Sequence, residues 1–369
     1  MTRPRLRDMG LSAGELPPGP NNAITDVAGV RVGHTTLLSG EGPLQPGRGP
    51  VRTGVTVVLP HGENLFRHKV RAAVHTINGF GKVRGFEQVR ELGTVESPIA
   101  LTNTLNVGLV ADALVQYLVA QNPGIGITLA TPNVVVGETH DGYLNDIQGR
   151  HVRAEHVWAA IESAAPGPVT EGAAGAGTGT TCFGWKGGIG TASRVVEAAG
   201  GYTLGALVQS NFGRAEDLVV CGVPVGRRLR PPAEEPTPLR DAGSIMIVLA
   251  TDAPLSERQL HRLCVRAAAG LARTGSYYGH GSGDFVIAFT TGWRVDLEPP
   301  ALTATQVVVA DEERVLGPLF RAVVESVEEA ILNSLFAAET TAGRDGHVRY
   351  ALPVDRVVEM VVRSRAGGA

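Results

Sequence analysis

Residues 241–251 read Asp241-Ala242-Gly243-Ser244-Ile245-Met246-Ile247-Val248-Leu249-Ala250-Thr251. An apolar run begins directly after Ser244 and has the composition of a buried strand. The stretch before it, Gly226 to Arg240, is polar and studded with prolines, as an exposed loop is. A small residue, then a hydroxyl residue, then a buried strand is the layout of a chain that cuts itself and uses the serine so exposed. In the intact chain the Ser244 hydroxyl can attack the Gly243 carbonyl, giving an ester that water hydrolyses. Gly243 has no side chain to obstruct that attack. After cleavage Ser244 would carry a hydroxyl and a free α-amine on one residue. With a reference pKa of roughly 7.7–8.0, part of that amine is available as a base near neutrality. Nucleophile and base are then adjacent without a distant histidine. Gly-Ser before a strand is also an ordinary loop-to-strand junction, so the step needs support from the rest of the chain.

Composition narrows the setting. The 369-residue chain can form one large domain or two ordinary ones. With 43% hydrophobic and 19% charged residues it suits a cored globular protein, not a disordered one. Its 48 glycines and few aromatics favour tight turns and close backbone approaches. A formal net charge of −3 gives no general electrostatic reason to bind nucleic acid or an acidic membrane. Cys182, Cys221 and Cys264 are odd in number and far apart, which excludes a disulfide framework and a Cys-x-x-Cys metal site. The first ten residues lack the apolar core of a secretory signal, and no apolar run approaches a membrane span. The expectation is a soluble cytoplasmic protein.

Read in order, the chain predicts strands over 29–34, 54–60, 97–102, 202–209, 218–223, 245–250, 285–290 and 305–309. An apolar segment over 127–136 is broken by Pro132. Helices are expected over 107–120, 151–164, 256–272, 317–338 and 354–363. Ser256, with Gln259 three residues on, reads as a capping box. Residues 61–95, with His61, His68 and His75, read as basic, solvated loop without a metal-type pairing. Gly172 to Gly190 is glycine-rich but lacks Gly-Lys-Ser/Thr and a placed acidic ribose partner. Its glycines are expected to let backbone pass close to backbone or substrate, not to cradle a phosphate. Glu138, His140, Asp141 and Tyr143 cluster directly after a strand, where functional groups often sit. Strand-rich segments alternating with amphipathic helices fit a layered α/β architecture.

With these pieces in view the chain resembles the DmpA family, the L-aminopeptidase/D-Ala-esterase/amidases and their β-peptidyl aminopeptidase relatives. The resemblance runs over nearly the whole chain. It rests on Pro20-Asn21-Asn22-Ala23-Ile24-Thr25-Asp26-Val27 with Gly33-His34-Thr35, and on Glu138-Thr139-His140-Asp141-Gly142-Tyr143-Leu144-Asn145-Asp146. Gly175-Ala176-Gly177-Thr178-Gly179, Lys186-Gly187-Gly188-Ile189-Gly190, Asn211-Phe212-Gly213, Gly243-Ser244-Ile245 and His280-Gly281-Ser282-Gly283-Asp284 complete it in the same order.

The resemblance implies a four-layer αββα sandwich and a single hydrolase domain, residues 1–369, self-cleaved into 1–243 and 244–369. It implies assembly into a homo-oligomer, a tetramer of such pairs, with no metal or organic cofactor. The implied substrates are small peptides, amides and esters with a free N-terminal amine. Residue by residue, Ser244 corresponds to the nucleophile and Asn211 to the oxyanion donor. Ser282 and Asp284 correspond to a Ser-x-acid pair that tunes the Ser244 amine and hydroxyl. The β-peptidyl branch carries Glu where this chain has Asp284, which is one methylene shorter. Tyr143 corresponds to a pocket tyrosine beside the oxyanion. Glu138, with Asp141 as its competitor, is expected to pair with the substrate ammonium, and a backbone N–H of the glycine-rich loop to assist Asn211. Two rivals predict different behaviour. An ornithine-acetyltransferase-like acyl transferase normally uses Thr where this chain has Ser244. A non-catalytic small-ligand-binding protein would remain one intact chain.

Overall fold

The computed structural model describes residues 3–232 and 242–366. In chain order the strands begin with β1 (Arg31–Ser39), β2 (Val51–Leu59), β3 (His68–Gly79), β4 (Thr94–Val95), β5 (Ile99–Asn103) and β6 (Val135–Thr139). Next come β7 (Thr181–Cys182), β8 (Trp185–Lys186), β9 (Ile189–Val196), β10 (Tyr202–Asn211) and β11 (Ala242–Thr251). The last are β12 (Gly281–Asp296), β13 (Thr341–Ala342) and β14 (Val348–Arg349). The helices are α1 (Phe86–Leu92), α2 (Val107–Gln121), α3 (Ala154–Glu162), α4 (Glu257–Arg273), α5 (Glu312–Phe336) and α6 (Val354–Ala366).

Two sheets stack face to face. One has the order β1-β2-β5-β6, the other β4-β3-β12-β11-β10-β9. Helices α2 and α3 cover the outer face of the first, α4 and α5 that of the second. The result is the expected αββα sandwich, and the side-chain period of a strand explains it. On β2, Val55 and Val57 pack beneath the α2/α3 layer while Val58 turns to the other sheet. On β11, Ile245, Ile247 and Leu249 face α4 and α5, and Met246, Val248 and Ala250 face the space between the sheets. The same alternation turns the Ser244 side chain inward between the sheets. Ser256 caps α4 as expected, with Gln259 Oε1 accepting from Ser256 N at 2.9 Å and Ser256 Oγ from Gln259 N at 3.3 Å.

Four expectations need correction. Residues 68–79 form a twelve-residue strand inside the larger sheet, not a loop. Val70, Ala72 and Val74 bury one face of it, but lysine, arginine and histidine on the other hide the alternation. His61 is buried as well, bonded through Nε2 to His68 O at 2.7 Å. Residues 218–223 are no strand. They reverse tightly, Val220 and Val223 exchanging backbone hydrogen bonds of 2.9 Å around Cys221 and Gly222, both at positive φ. Residues 305–309 belong to neither sheet and leave Val307 exposed. Of 127–136, only the end from Val135 enters a strand. The loop expected over 226–240 falls partly outside the described residues. Its described part buries Gly226 and Leu229.

Candidate active site

Ser244 lies at the start of β11 with Asn211 of β10 directly opposite and Gly283 of β12 on its other side. It is 4% exposed. Two N–H groups converge on its hydroxyl oxygen, Asn211 Nδ2 at 3.5 Å and the backbone amide of His140 at 3.4 Å. Both are at the long limit of hydrogen bonding, as donors waiting for a ligand often are. The Asn211 amide is held in that orientation because its Oδ1 accepts from Thr181 N at 3.0 Å.

The peptide before Ser244 is equally confined. A Cβ on Gly243 would sit 2.9 Å from Phe212 Cβ and 3.3 Å from Ser282 Oγ. Glycine is therefore required for space as well as for access to its carbonyl. Ser282 Oγ in turn donates to Asp284 Oδ1 at 2.7 Å, both residues being buried. Asn78 ties the loop before Ser282 down through Gly279 O at 3.0 Å and His280 O at 3.1 Å. Gly283 faces Gly81, where a Cβ would come within 2.9 Å of Gly81 Cα. Residues 80–82 thereby cross close to Ser244 and lead to Glu138.

Glu138, on β6, is buried and accepts from Lys82 N at 3.0 Å and from the Thr104 hydroxyl. A carboxylate offers about four lone-pair sites, so acceptor capacity remains. Asp141 is placed differently. Its Oδ2 takes the Thr53 hydroxyl at 2.5 Å and its Oδ1 takes Asn145 Nδ2 at 3.0 Å, inside the turn. Burial pushes its carboxyl up to about 6 in spite of these bonds. Tyr143 is half-buried. Its ring stacks on His347 at 4.4 Å, and the Arg349 guanidinium lies 3.5 Å from its centroid. Arg349 Nε also donates to Thr181 Oγ1 at 3.2 Å, joining the tyrosine to the residue that holds Asn211.

The glycine-rich segment is packed backbone against backbone. A Cβ on Gly188 would fall 1.8 Å from Gly172 O, and one on Gly177 2.4 Å from Ile189 N. Beneath it the wholly buried Lys186 donates to Gly177 O at 2.9 Å and to Gly187 O. Burial brings that ammonium down to about 7 and lifts the neighbouring Cys182 thiol to about 12. The backbone donor nearest the Ser244 hydroxyl comes from the turn after β6 and not from this loop. Among the described residues no group of three or more His, Cys, Asp or Glu is placed to hold a metal. No helix there is long and apolar enough to cross a membrane.

The sequence reading named Ser244, Asn211, Ser282, Asp284, Glu138, Asp141 and Tyr143, but not Thr181, Lys82, Thr104, Arg349 or the His140 amide. Main-chain donors carry no residue signature. His347 meets Tyr143 across 204 residues of chain, a proximity only the fold reveals.

The αββα sandwich, with Ser244 buried between its two sheets, is the architecture of an N-terminal-nucleophile-like hydrolase fold. The chain belongs to peptidase family S58, which it matches over residues 22–349. It is 46% identical over 365 residues to the β-peptidyl aminopeptidase BapA of Sphingosinicella microcystinivorans, spanning 95% of this chain and 90% of that one. The solved β-aminopeptidase of a Burkholderia species shares 43% identity at a TM-score of 0.89, covering 98% of this chain and 99% of that one. The L-aminopeptidase D-Ala-esterase/amidase of Ochrobactrum anthropi shares 40% at 0.87, with the same coverage. Family and fold make the chain a serine-type aminopeptidase/amidase.

Proposed function

We propose that this aminopeptidase cuts its own Gly243–Ser244 bond and then releases N-terminal residues from small peptides, amides or esters through an acyl-enzyme on Ser244. The observation that carries the reading is the convergence of Asn211 Nδ2 and the His140 amide on Ser244 Oγ, with Ser282 Oγ at the preceding residue.

The hydroxyl of Ser244 attacks the first carbonyl of the substrate and passes its proton to the Ser244 α-amine. Asn211 and the His140 N–H stabilise the oxyanion, and Tyr143 lines the pocket beside them. The Ser282–Asp284 pair orients the new amine. The leaving amine takes the proton, and water hydrolyses the ester. Glu138, with acceptor capacity left, binds the substrate ammonium. Asp141, wholly buried, tied to Thr53, Asn145 and Asn103 and with its carboxyl raised to about 6 by burial, shapes the turn. Fragments 1–243 and 244–369 stay together as one unit, because β11 and β12 of the second are interleaved with β3 and β10 of the first. A cytoplasmic homo-oligomer, a tetramer of such pairs, is part of the same proposal.

The test is the intact mass of the denatured protein with N-terminal sequencing of each species. One cut divides the 38.5 kDa chain in proportion to length into about 25 and about 13 kDa. The smaller species should begin Ser-Ile-Met-Ile, and Ser244→Ala should give one intact, inactive chain. An active preparation holding only intact chain would sink the mechanism.

A further inference from the structure

The residues gathered near Ser244 include charges of both signs. Glu138 supplies a buried carboxylate. Two cations from distant parts of the chain act on one histidine, Lys82 exposed and Arg344 25% exposed at its side chain. Lys82 follows the glycine that crosses over Gly283, and its exposed ammonium lies 5.3 Å from the Phe80 ring. Arg344, from the turn between β13 and β14, donates through Nε to Gly142 O at 2.8 Å and through its backbone N to Leu144 O at 2.9 Å. Asp345 pairs with it at 2.7 Å and offsets part of its charge. That histidine is His140, the motif residue whose side chain the mechanism leaves unused.

The protonation of His140 follows from its contacts. Its Nδ1 accepts from Gly142 N at 3.3 Å, so the ring proton resides on Nε2, a donor on an exposed side chain. Burial lowers its pKa, Glu138 raises it, and Lys82 and Arg344 lower it further. The net effect is a neutral donor at neutral pH, set in a positive field.

We propose that His140, Lys82 and Arg344 form a carboxylate-binding rim, so that the preferred substrates are short peptides with a free C-terminus, held at both ends. The inference rests on the aminopeptidase reading with Glu138 at the ammonium. Two extended residues span about 7 Å, so a dipeptide anchored at Glu138 brings its carboxylate within reach of long side chains at the mouth. The opposed charges also fix which way round the peptide enters. The exposed Phe80, its ring 6.3 Å from that of His280, gives the entrance an apolar wall.

The test compares kcat/KM for one dipeptide as its free acid and as its C-terminal amide. The free acid should be preferred by roughly tenfold, the worth of one partly exposed charge-assisted hydrogen bond. Lys82→Met and His140→Asn should each shrink the ratio, and about 0.5 M salt should shrink it in the wild type. A ratio cancels any loss of folded protein. Equal rates for acid and amide, or a ratio untouched by both substitutions, overturns the rim and leaves the aminopeptidase reading standing. Hydrolysis of neither peptide by chain already cut at Ser244 would bring down the aminopeptidase reading and the rim with it.

Discussion

Two buried polar clusters share the six-stranded sheet, one around Ser244 on β11 and the other around Arg194 on the edge strand β9. Arg194 is wholly buried and fully engaged. It donates to Glu329 Oε2 at 2.7 Å, Glu325 Oε2 at 3.2 Å, Ala13 O at 2.6 Å and Ser193 O at 2.7 Å. Glu329 also takes Arg7 at 2.7 and 2.9 Å and Asn22 at 2.6 Å. Around Ser244 the corresponding contacts stretch to 3.4 and 3.5 Å. The closed cluster binds the N-terminal segment to α5 through short bonds. The open one holds donors that, on the proposed mechanism, meet a developing oxyanion. Burial of polar groups therefore does not by itself mark a functional site; at Ser244 it is joined by long, loosely met donors.

The largest effect that tests this contrast is on stability. Arg194→Met leaves Glu325 and Glu329 buried without their central cation and should cost about 3–5 kcal/mol, measured by urea unfolding. Adding Glu329→Gln should recover part of that loss, because the two residues belong to one network. Turnover per folded molecule should stay at the wild-type value. A loss well under 1 kcal/mol would show that the cluster is no fastening, and the contrast would lose its meaning.

A smaller free energy belongs to the open cluster, and it appears in rate. Asn211→Ala should lower kcat by roughly 10²–10³ with little change in KM, since the amide meets charge that exists only in the transition state. Thermal unfolding should move far less than in Arg194→Met. A rise in KM at unchanged kcat would instead make Asn211 a ground-state binding residue.

The two clusters were unequally legible in the sequence. The layers followed from β2, β10 and β11, whose apolar runs admit one reading. Strand β3 stayed hidden because His68, Lys69, Arg71 and His75 share it with the residues that build the core. At the site, Ser244 and Asn211 could be named because each sits in a short motif. The His140 amide could not, since any residue would provide that N–H. Arg194 and Glu329 were invisible as a pair, one on the strand after the glycine-rich stretch and the other in a helix, joined only by packing of α5 on β9. Local chemistry can be read from the chain, whereas long-range pairing of charges requires the fold.

Lys186 tests the comparison most finely, because it is buried like Arg194 but bonded to carbonyls and not to carboxylates. Burial holds it at about 7, whereas an unfolded lysine titrates near 10.4. Between those values the unfolded chain binds the extra proton, so unfolding becomes harder as pH rises from about 7 toward 10. Below pH 7 both states are protonated and the penalty for burying the charge is constant. The contribution has a limiting slope of about 1.4 kcal/mol per pH unit inside that window. Lys186→Met should remove it, so the wild type should gain stability steadily relative to the variant over pH 7–10, and the two curves should run parallel below. Parallel curves throughout would mean that Lys186 keeps its proton in the fold, and that the carbonyls of Gly177 and Gly187 satisfy an ammonium as completely as the two glutamates satisfy Arg194.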